Sequence, residues 1–300
     1  METLRSIILQ EANEERFNRK HIDTKIRKAI EDNPDMVIKL EQGAEYIQEY
    51  LDGTYYSSKM KRIAQLKSMD VKVLVMDIFT GISYCQIPEL FTSVSAQMAA
   101  RLKFSDRADA IKTTAELMAV LSATDAFDIY KEEKATSLMV VSRIPLPDNL
   151  LDFIANSMYL PPMLCEPLKL THNFSSGYLT HNDSLILGSG NHHDGDICLD
   201  VLNTMNKVCL QLSTEFLCAM DEEPNHDLLN QEQIDQWNTF KQQSRDMYLM
   251  LIEQSNTLYF NHKVDKRGRI YSQGYHVNTQ GTAYKKAMLE LANGELVDGI

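Results

Sequence analysis

The stretch Asn261-His-Lys-Val-Asp-Lys-Arg-Gly-Arg-Ile-Tyr271 decides how the rest of this chain is interpreted. Its centre, from Asp265 to Arg269, is a polar turn in which Gly268 supplies the positive-φ residue that a tight hairpin requires. The run that follows, residues 270–277, alternates well enough between polar and apolar side chains to form the return strand. The stretch therefore predicts a basic β-hairpin.

A short helix is predicted after the hairpin. Residues 279–282 (Thr-Gln-Gly-Thr) supply turn and cap residues, and apolar side chains then recur at helical spacing at Tyr284, Ala287, Met288 and Leu291. Gly294 lies just beyond them, where helices commonly end. On this helix Lys286 lies opposite the apolar stripe, so its ammonium faces away from the core.

Four short motifs follow one another in this region: Asp265-Lys-Arg-Gly-Arg-Ile-Tyr271, Asn278-Thr-Gln-Gly281, Lys286, and Leu289-Glu-Leu-Ala-Asn-Gly294. Their order resembles a block of the single-subunit RNA polymerases of bacteriophages and mitochondria. In that family D-x-R-G-R-x-Y is followed by N-x-Q-G, a lysine on a short helix, and L-x-L-A-x-G. One such motif alone would be weak, but four in register form a fairly specific signal.

The resemblance implies a site as well as a family. It implies that two arginines of the turn hold the phosphates of the template strand in an RNA–DNA hybrid. The nucleic-acid-binding residues expected from the motifs are Arg267, Gly268, Arg269, Tyr271, Gln280 and Lys286. The chain departs from the family pattern at Lys266, where an aromatic or another residue is usual, and at His262, where an aromatic is common. Neither departure changes the arginines.

Positive charge is concentrated in this region of an otherwise acidic protein. The chain carries 30 Lys and Arg against 42 Asp and Glu, a formal net charge of −12. This sign is wrong for a protein that coats nucleic acid by itself. Residues 262–286, however, contain six Lys or Arg and a single Asp, a local net charge of +5. The distribution suits a dedicated groove, although such a charge run is also typical of a solvated surface hairpin.

Composition indicates a globular protein of one large or two modest domains. Hydrophobic residues make up 44% and charged residues 24% of the chain, which is ordinary for a folded protein. Five cysteines are widely spaced without a C-x-x-C pair, which favours a reducing compartment over a disulfide framework or a zinc ribbon. The N-terminus is charged rather than signal-like, and no apolar run is long enough to span a membrane. We therefore expect a cytoplasmic protein, and for a phage protein this location is the cytoplasm of the host.

The expected fold class is mainly α with small β-hairpins, in two domains. Residues 1–160 form a helical N-terminal domain, in which residues 127–144 are predicted to form a β-hairpin. The proline cluster at residues 161–167 marks the boundary, and residues 161–300 supply helices plus the basic hairpin. A similar proline stretch leads into a glycine-aromatic loop in the polymerase family, and Gly177-Tyr178 follows here. The resemblance implies that the second domain is the start of the polymerase domain, close to its thumb and palm.

Two helices are predicted before the basic hairpin. The first is capped by Asp196 and runs to about Phe216. Its polar side, which is similar to an N-x-x-(Q/N) helix of the phage polymerases, carries Asn203, Asn206 and Lys207. The second runs from about Gln231 to Tyr259 and spans on the order of 40 Å. Such a long helix is expected to hold the hairpin in a fixed place.

The loop Gly188-Ser-Gly-Asn-His-His-Asp-Gly-Asp196 contains side chains of metal-ligand type. Adjacent histidines rarely bind one ion together from a flexible loop, and no second ligand pair lies at helical spacing. A surface turn is the favoured interpretation, and no metal ligand is assigned in this chain.

Nucleotidyl transfer requires two carboxylates that hold two divalent ions about 4 Å apart. In the polymerase family these carboxylates and a lysine–tyrosine fingers helix lie C-terminal to the D-x-R-G-R block, and this sequence stops at Ile300 before any of them. The resemblance therefore implies no catalytic residue here, and Mg²⁺ held by a partner chain that carries the palm and fingers. The chain is either a fragment or the smaller, N-terminal subunit of a split, heterodimeric phage RNA polymerase of the schitovirus kind. The second explanation is favoured, and it predicts a large, permanent apolar interface with the partner.

Two other classes of protein fit parts of the sequence. A helical, non-catalytic interaction protein could use the basic hairpin to dock an acidic partner, without any polymerase role. A stand-alone nucleic-acid-binding regulator is disfavoured by the net charge of −12.

Overall fold

The computed structural model describes residues 2–131, 137–156, 160–188 and 191–294. The chain forms two compact units. One, here called the helical unit, is Arg19–Ala155. The other, here called the hairpin unit, combines Met1–Asn18 with Asn156–Ile300. The chain therefore leaves the hairpin unit after its first helix and returns to it later.

This division differs from the expected one in the place of the N-terminal residues. The return at residue 155 lies close to the expected boundary at residue 160, but helix α1 (Glu2–Phe17) belongs with the C-terminal residues. Buried polar side chains of α1 hold it there. Gln10 Oε1 accepts a hydrogen bond from Leu164 N (2.9 Å), and Asn13 exchanges two hydrogen bonds with Gln254 (2.9 and 3.1 Å). A boundary inferred from prolines could not show this long-range packing.

Helices and short strands follow one another in the helical unit: α2 (Arg19–Glu31), α3 (Pro34–Asp52), α4 (Ser57–Leu66), α5 (Val71–Ile82), β1 (Glu89–Leu90), α6 (Phe91–Met98), α7 (Arg107–Leu121), β2 (Phe127–Lys131), β3 (Leu138–Ser142) and α8 (Asp148–Asn156). Local sequence explains several helix starts. The side chain of Asn33 caps α3, with Pro34 in its first turn, and Asp70 caps α5.

The sheet of the helical unit has the strand order β1-β3-β2, with both pairs antiparallel. Phe127 pairs with Ser142 and Lys131 with Leu138, which confirms the hairpin predicted in this stretch. Phe79 and Phe127 meet edge-on in the core, at 6.5 Å between ring centres. Around them lie fully buried aliphatic side chains of the helices, among them Ile22, Ile26, Ile30, Met36, Ile47 and Ile63.

The hairpin unit continues with α9 (Leu199–Asn206), β4 (Leu210–Leu212), α10 (Thr214–Ala219), α11 (Gln231–Gln254), β5 (His262–Val264), β6 (Ile270–Ser272), α12 (Ala283–Ala287) and β7 (Leu289–Leu291). The long helix is confirmed as α11, which ends five residues before the expected Tyr259. Its 24 residues span about 36 Å. The basic hairpin is confirmed as the antiparallel pair of β5 and β6, although the return strand ends at Ser272 and does not extend to residue 277.

Two predicted helices are wrong in extent. The helix expected from Asp196 to Phe216 is interrupted: α9 starts after Cys198, β4 follows it, and α10 begins only at Thr214. The helix expected to run to Gly294 ends at Ala287, because residues 289–291 form β7. Strands β4 and β7 pair antiparallel, with Leu210 opposite Leu291. Pairing between these distant segments overrides the local helical spacing of the apolar residues.

The described residues are mainly helical with small antiparallel sheets, which confirms the coarse fold class. Within the hairpin unit, apolar side chains of α11, β4 and the segment around Phe260 pack in one core cluster. No helix in the described ranges combines the length and the apolar character needed to cross a membrane.

Candidate nucleic-acid interface

The basic hairpin is a regular two-stranded ladder closed by a tight turn. His262 lies opposite Ser272, Lys263 opposite Tyr271, and Val264 opposite Ile270. In the turn, Asp265 N donates to Arg269 O and Gly268 N donates to Asp265 O, both at 2.9 Å. Gly268 has φ +81°, and a Cβ at this position would meet no atom within 4 Å. The turn therefore requires glycine for its backbone conformation and not for space.

The Asp265 carboxylate organises both arginines. Its Oδ1 accepts the backbone N–H groups of Arg267 (2.9 Å) and Arg269 (3.0 Å). Its Oδ2 accepts the Nε–H groups of the same two side chains, at 3.0 and 2.9 Å. The Tyr271 hydroxyl lies 3.5 Å from Oδ2, and the Arg269 guanidinium lies 5.7 Å from the centre of the Tyr271 ring. One acid thus holds two cations side by side on the same turn.

This arrangement changes the ionisation of the acid and leaves the cations exposed. Desolvation acts to raise the pKa of Asp265, but hydrogen bonds from the backbone and side chain of Arg269 hold that pKa below its ordinary value. The hydrogen bond to Asp265 in turn raises the pKa of Arg269. The side chains of Arg267 and Arg269 are 69% and 53% exposed, whereas Asp265 is 15% exposed. The outer surface of the turn is therefore cationic.

The base of the hairpin is anchored by α9. Asn206 is buried, and its Oδ1 accepts hydrogen bonds from His262 N (3.1 Å) and His262 Nδ1 (2.8 Å). Asn203 clamps Leu170 by bonding both its N–H (2.8 Å) and its C=O (3.0 Å). Desolvation lowers the pKa of His262. Both asparagines of the N-x-x-N helix therefore bind protein backbone.

The loop Asn278–Gly281 is fastened to β6. The Gln280 side chain acts like a neighbouring strand, because its Oε1 accepts from Ser272 N (3.0 Å) and its Nε2 donates to Ile270 O (3.0 Å). Asn278 Oδ1 accepts from the Ser272 hydroxyl at 2.7 Å, and its Nδ2 donates to Gly274 O at 2.8 Å. Gln280, predicted as a nucleic-acid contact, thus has its amide engaged by the hairpin edge.

The two lysines of α12 have different surroundings. Lys285 Nζ donates to Tyr275 O at 2.7 Å and lies 5.2 Å from the centre of the Tyr275 ring. Burial lowers the pKa of Lys285, although Glu222 opposes this effect. Lys286 is exposed, as the helical wheel predicted. Of this pair, Lys286 is the one that presents its side chain to solvent.

Helix α1 contributes a buried carboxylate that the sequence patterns did not predict. Glu14 is fully buried and accepts hydrogen bonds from Leu179 N (3.0 Å), Thr180 N (2.9 Å) and the Thr180 hydroxyl. Burial acts to raise its pKa, but these bonds, with those of His181 and Gln10, lower it to about 2. The available signal was a row of polar residues four apart: Gln10, Glu14 and Asn18.

The loop held by Glu14 lies against the start of the hairpin. Gly177 has φ +74°, and a Cβ there would lie 2.2 Å from Asn261 Oδ1. Tyr178 is buried and stacks on His181, with ring centres 4.9 Å apart. The predicted glycine-aromatic loop therefore packs under the residue that precedes β5.

Metal-ligating groups are not gathered anywhere among the described residues: no three His, Cys, Asp or Glu side chains lie in a position to hold one ion. In the His192 loop, His192 Nε2 lies 3.2 Å from Asp194 Oδ1 and His192 Nδ1 lies 3.1 Å from the Ser184 hydroxyl.

Comparison with known proteins gives one informative similarity. No family model matches this chain. The chain is 25% identical, over 154 residues, to a probable DNA-directed RNA polymerase of Gelasinospora sp. (strain G114). The match covers 46% of this chain and 17% of that protein, so the chain spans only a small part of the relative's length. The similarity supports a general relationship to RNA polymerases.

Proposed function

We propose that this chain is the template- and hybrid-binding half of a DNA-directed RNA polymerase, and that a partner chain completes the active site. The observation that carries the proposal is the turn Asp265–Arg269, in which one carboxylate holds two exposed guanidiniums side by side. The order of motifs around this turn and the similarity to a probable DNA-directed RNA polymerase support a polymerase over other nucleic-acid-binding proteins.

The guanidiniums have the donors that such a role requires. Each guanidinium carries five N–H groups. Asp265 takes the Nε side of both Arg267 and Arg269, with further contacts to the Nη2 atom of each at 2.9 Å. The remaining donors project from exposed side chains and match the paired oxygens of a phosphate. The Asp265 contact also fixes the two side chains before nucleic acid arrives, which lowers the entropic cost of binding.

The six predicted residues divide into two roles. Arg267, Arg269 and Lys286 contact phosphates in the proposal. Gly268, Tyr271 and Gln280 keep the surface in shape, because they allow the turn, support the Asp265 carboxylate and brace the edge of β6, respectively. Phosphate contacts of this kind fix the position of a strand without selecting its sequence.

The catalytic carboxylates and Mg²⁺ belong to the partner chain in this proposal. The described residues provide no acidic cluster that fits a metal ion, so no metal-dependent step is assigned to them. Transcription of phage DNA in the host cytoplasm is the setting that the resemblance to split phage polymerases implies. The partner, which carries the palm and fingers, would form a heterodimer with this chain.

The hybrid-binding role is tested with Arg267→Ala and Arg269→Ala, measured by fluorescence anisotropy on RNA–DNA hybrids of several sequences. Each substitution should weaken binding nearly equally for all sequences, because a phosphate contact is lost. The slope of log affinity against log salt should become shallower by about 0.7–0.9 for each contact removed. Arg267→Lys, which keeps the charge and loses the fork of donors, should have an intermediate effect.

Arg245→Ala is the matched control for this experiment. Arg245 is 66% exposed and, like Arg267, pairs with an aspartate, here Asp221 at 3.8 Å. Its removal should leave the affinity unchanged. Folded variants at Arg267 and Arg269 that bind hybrids as tightly as the unchanged chain would refute the proposal. Polyglutamate that competes as effectively as a hybrid would instead favour a protein that docks acidic partners.

A further inference from the structure

A pocket of about 500 Å³ lies beside the basic hairpin in the hairpin unit. Ser184, Ile186 and Gly188 line part of it, and the segment that carries them runs along β5. Val264 N donates to Leu185 O (2.8 Å), and Leu187 N donates to Val264 O (2.7 Å). Lys263 of β5 and Phe174 of an earlier loop also line the pocket. The size falls within the range of small-ligand sites in proteins.

The pocket continues the face of the hairpin that carries the arginine turn. Lys263 lies directly opposite Tyr271, and side chains of opposite residues lie on the same face of a ladder. Asp265 and Arg269 begin and end the turn just beyond this ladder, and both contact Tyr271, so they lie on that face. A strand bound by Arg269 would therefore have its neighbouring nucleotide near Lys263.

One wall of the pocket is an aromatic surface that other residues hold in place. Phe174 is 47% exposed. The His192 ring meets it edge-on, with the ring centres 5.5 Å apart and the planes at 87°. His192 is itself fixed by Ser184 Oγ at 3.1 Å and by Asp194 at 3.2 Å. An exposed aromatic ring next to a cationic surface is the usual platform for an unpaired nucleobase.

The pocket is also lined by an ion pair, which supplies its polar surface. Lys263 Nζ lies 2.8 Å from Asp183 Oδ2, and the two side chains are 15% and 40% exposed. The pair presents a hydrogen-bond donor and an acceptor side by side. Every nucleobase edge also carries both donors and acceptors, so the pair can bind any base without selecting one. The Asp183 carboxylate disfavours a phosphate at this point, which leaves the phosphates to the arginines.

We propose that this pocket receives one unpaired nucleotide of a strand whose phosphates lie on the arginine turn, with its base stacked on Phe174 and its edge on the Lys263–Asp183 pair. The inference rests on the proposed function for the delivery of the strand. It adds an unpaired nucleotide as a specific ligand. It also gives a role to Phe174, which a purely electrostatic hybrid-binding surface would not need.

The test uses two RNA–DNA hybrids, one blunt and one with a single-stranded DNA overhang that carries 2-aminopurine. Phe174→Ala should lower the affinity for the overhang hybrid about 5- to 150-fold, the range expected for the loss of one base–aromatic stack, and should change binding of the blunt hybrid less than twofold. Stacking on Phe174 should quench the fluorescence of 2-aminopurine when the overhang hybrid binds, and Phe174→Ala should abolish this quenching. Phe174→Leu, which keeps an apolar side chain without the ring, should behave like Phe174→Ala.

Tyr56→Ala is the control for the loss of an exposed aromatic ring, because Tyr56 is 65% exposed and belongs to the helical unit. It should leave both hybrids unaffected. Equal affinity of Phe174→Ala and the unchanged chain for the overhang hybrid, or an equal loss for both hybrids, would overturn the pocket assignment. Neither outcome would affect the role of the arginines.

A titration with adenosine monophosphate, followed by NMR, separates the two proposals. Chemical-shift changes at Phe174 and Lys263 that persist in Arg267→Ala, together with loss of the Lys263 change in Phe174→Ala, would support the pocket, even if the chain bound no hybrid at all. In that case the proposed function would be refuted, and the pocket assignment would stand. Absence of any change around Phe174 at millimolar adenosine monophosphate would count against the pocket.

Discussion

Replacement of Glu14 by Gln should destabilise the hairpin unit strongly at neutral pH. The buried carboxylate accepts the N–H groups of Leu179 and Thr180 and the Thr180 hydroxyl. An amide at this position would have one oxygen to serve these donors, and its own NH₂ group would face them. The perturbation therefore removes a buried charge that is fully satisfied and leaves donors without an acceptor.

The magnitude follows from proton linkage. The pKa of Glu14 is about 2 in the folded chain and 4.5 without the fold. At 1.36 kcal/mol per pH unit, this difference corresponds to about 3 kcal/mol of stability. Because the folded-state pKa is the lower one, this stability is fully present above pH 4.5. It is lost as the pH falls from 4.5 towards 2.

Urea unfolding, monitored by tryptophan fluorescence, measures the change in the stability of the hairpin unit. The chain has a single tryptophan, Trp237, and it lies on α11 in the hairpin unit. With a typical urea dependence of about 2 kcal/mol per molar, Glu14→Gln should lower the midpoint at pH 7 by about 1.5 M. The difference between the two proteins should shrink as the pH is lowered through 4 to 3.

Glu11→Gln is the control, because Glu11 is exposed on the same helix. It should unfold at the same urea concentration as the unchanged chain. Two results would refute the reasoning about Glu14. One is an unchanged midpoint for Glu14→Gln at pH 7, and the other is a difference that stays constant between pH 7 and pH 3.

The remaining predictions concern the turn and the partner. Gly268→Ala should lower the free energy of unfolding by about 1–2 kcal/mol, because Gly268 has a positive φ, and should weaken hybrid binding. Gly294→Ala should change neither quantity. Equal melting temperatures and equal hybrid affinities of the two variants would contradict this prediction. The purified chain alone should not extend an RNA primer with Mg²⁺, and the palm-bearing partner should restore extension; activity of the lone chain would refute the division of labour. The partner should also raise the melting temperature, since apolar side chains such as Leu229 (82% exposed) and Leu291 (61%) are unburied; an unchanged melting temperature would argue against a heterodimer.

The features predicted correctly are those determined by short-range signals. Gly268, between two alternating segments, specifies a turn and a ladder within eleven residues, from His262 to Ser272. The hairpin predicted at residues 127–144 is local in the same way, with Phe127 opposite Ser142. Such elements depend on backbone conformations that a few neighbouring residues decide. Local patterns of this kind suffice for the site's central turn.

The features that were missed depend on partners far away in the sequence. Residues 289–291 satisfy a helical spacing of apolar residues, yet they form a strand because β4 lies beside them. Gln211 and Glu290, whose side chains bond across this pair, are 79 residues apart. The same holds for Glu14, which accepts hydrogen bonds from Leu179 and Thr180, more than 160 residues away. No window of local sequence contains the information that brings these segments together.

The distinction also bears on which predicted site residues meet nucleic acid. The resemblance to the polymerase motifs places Gln280 with the arginines and links Asn206 to them more weakly, but in both amides the oxygen and the nitrogen already bond protein groups. Gln280 bonds Ser272 N and Ile270 O, and Asn206 bonds His262. Arg267 and Arg269 share one carboxylate between two guanidiniums, so cationic donors remain in excess. In the proposed function, binding of an anionic strand therefore falls to the arginines, while the amides keep the two strands of the hairpin where the arginines can act together.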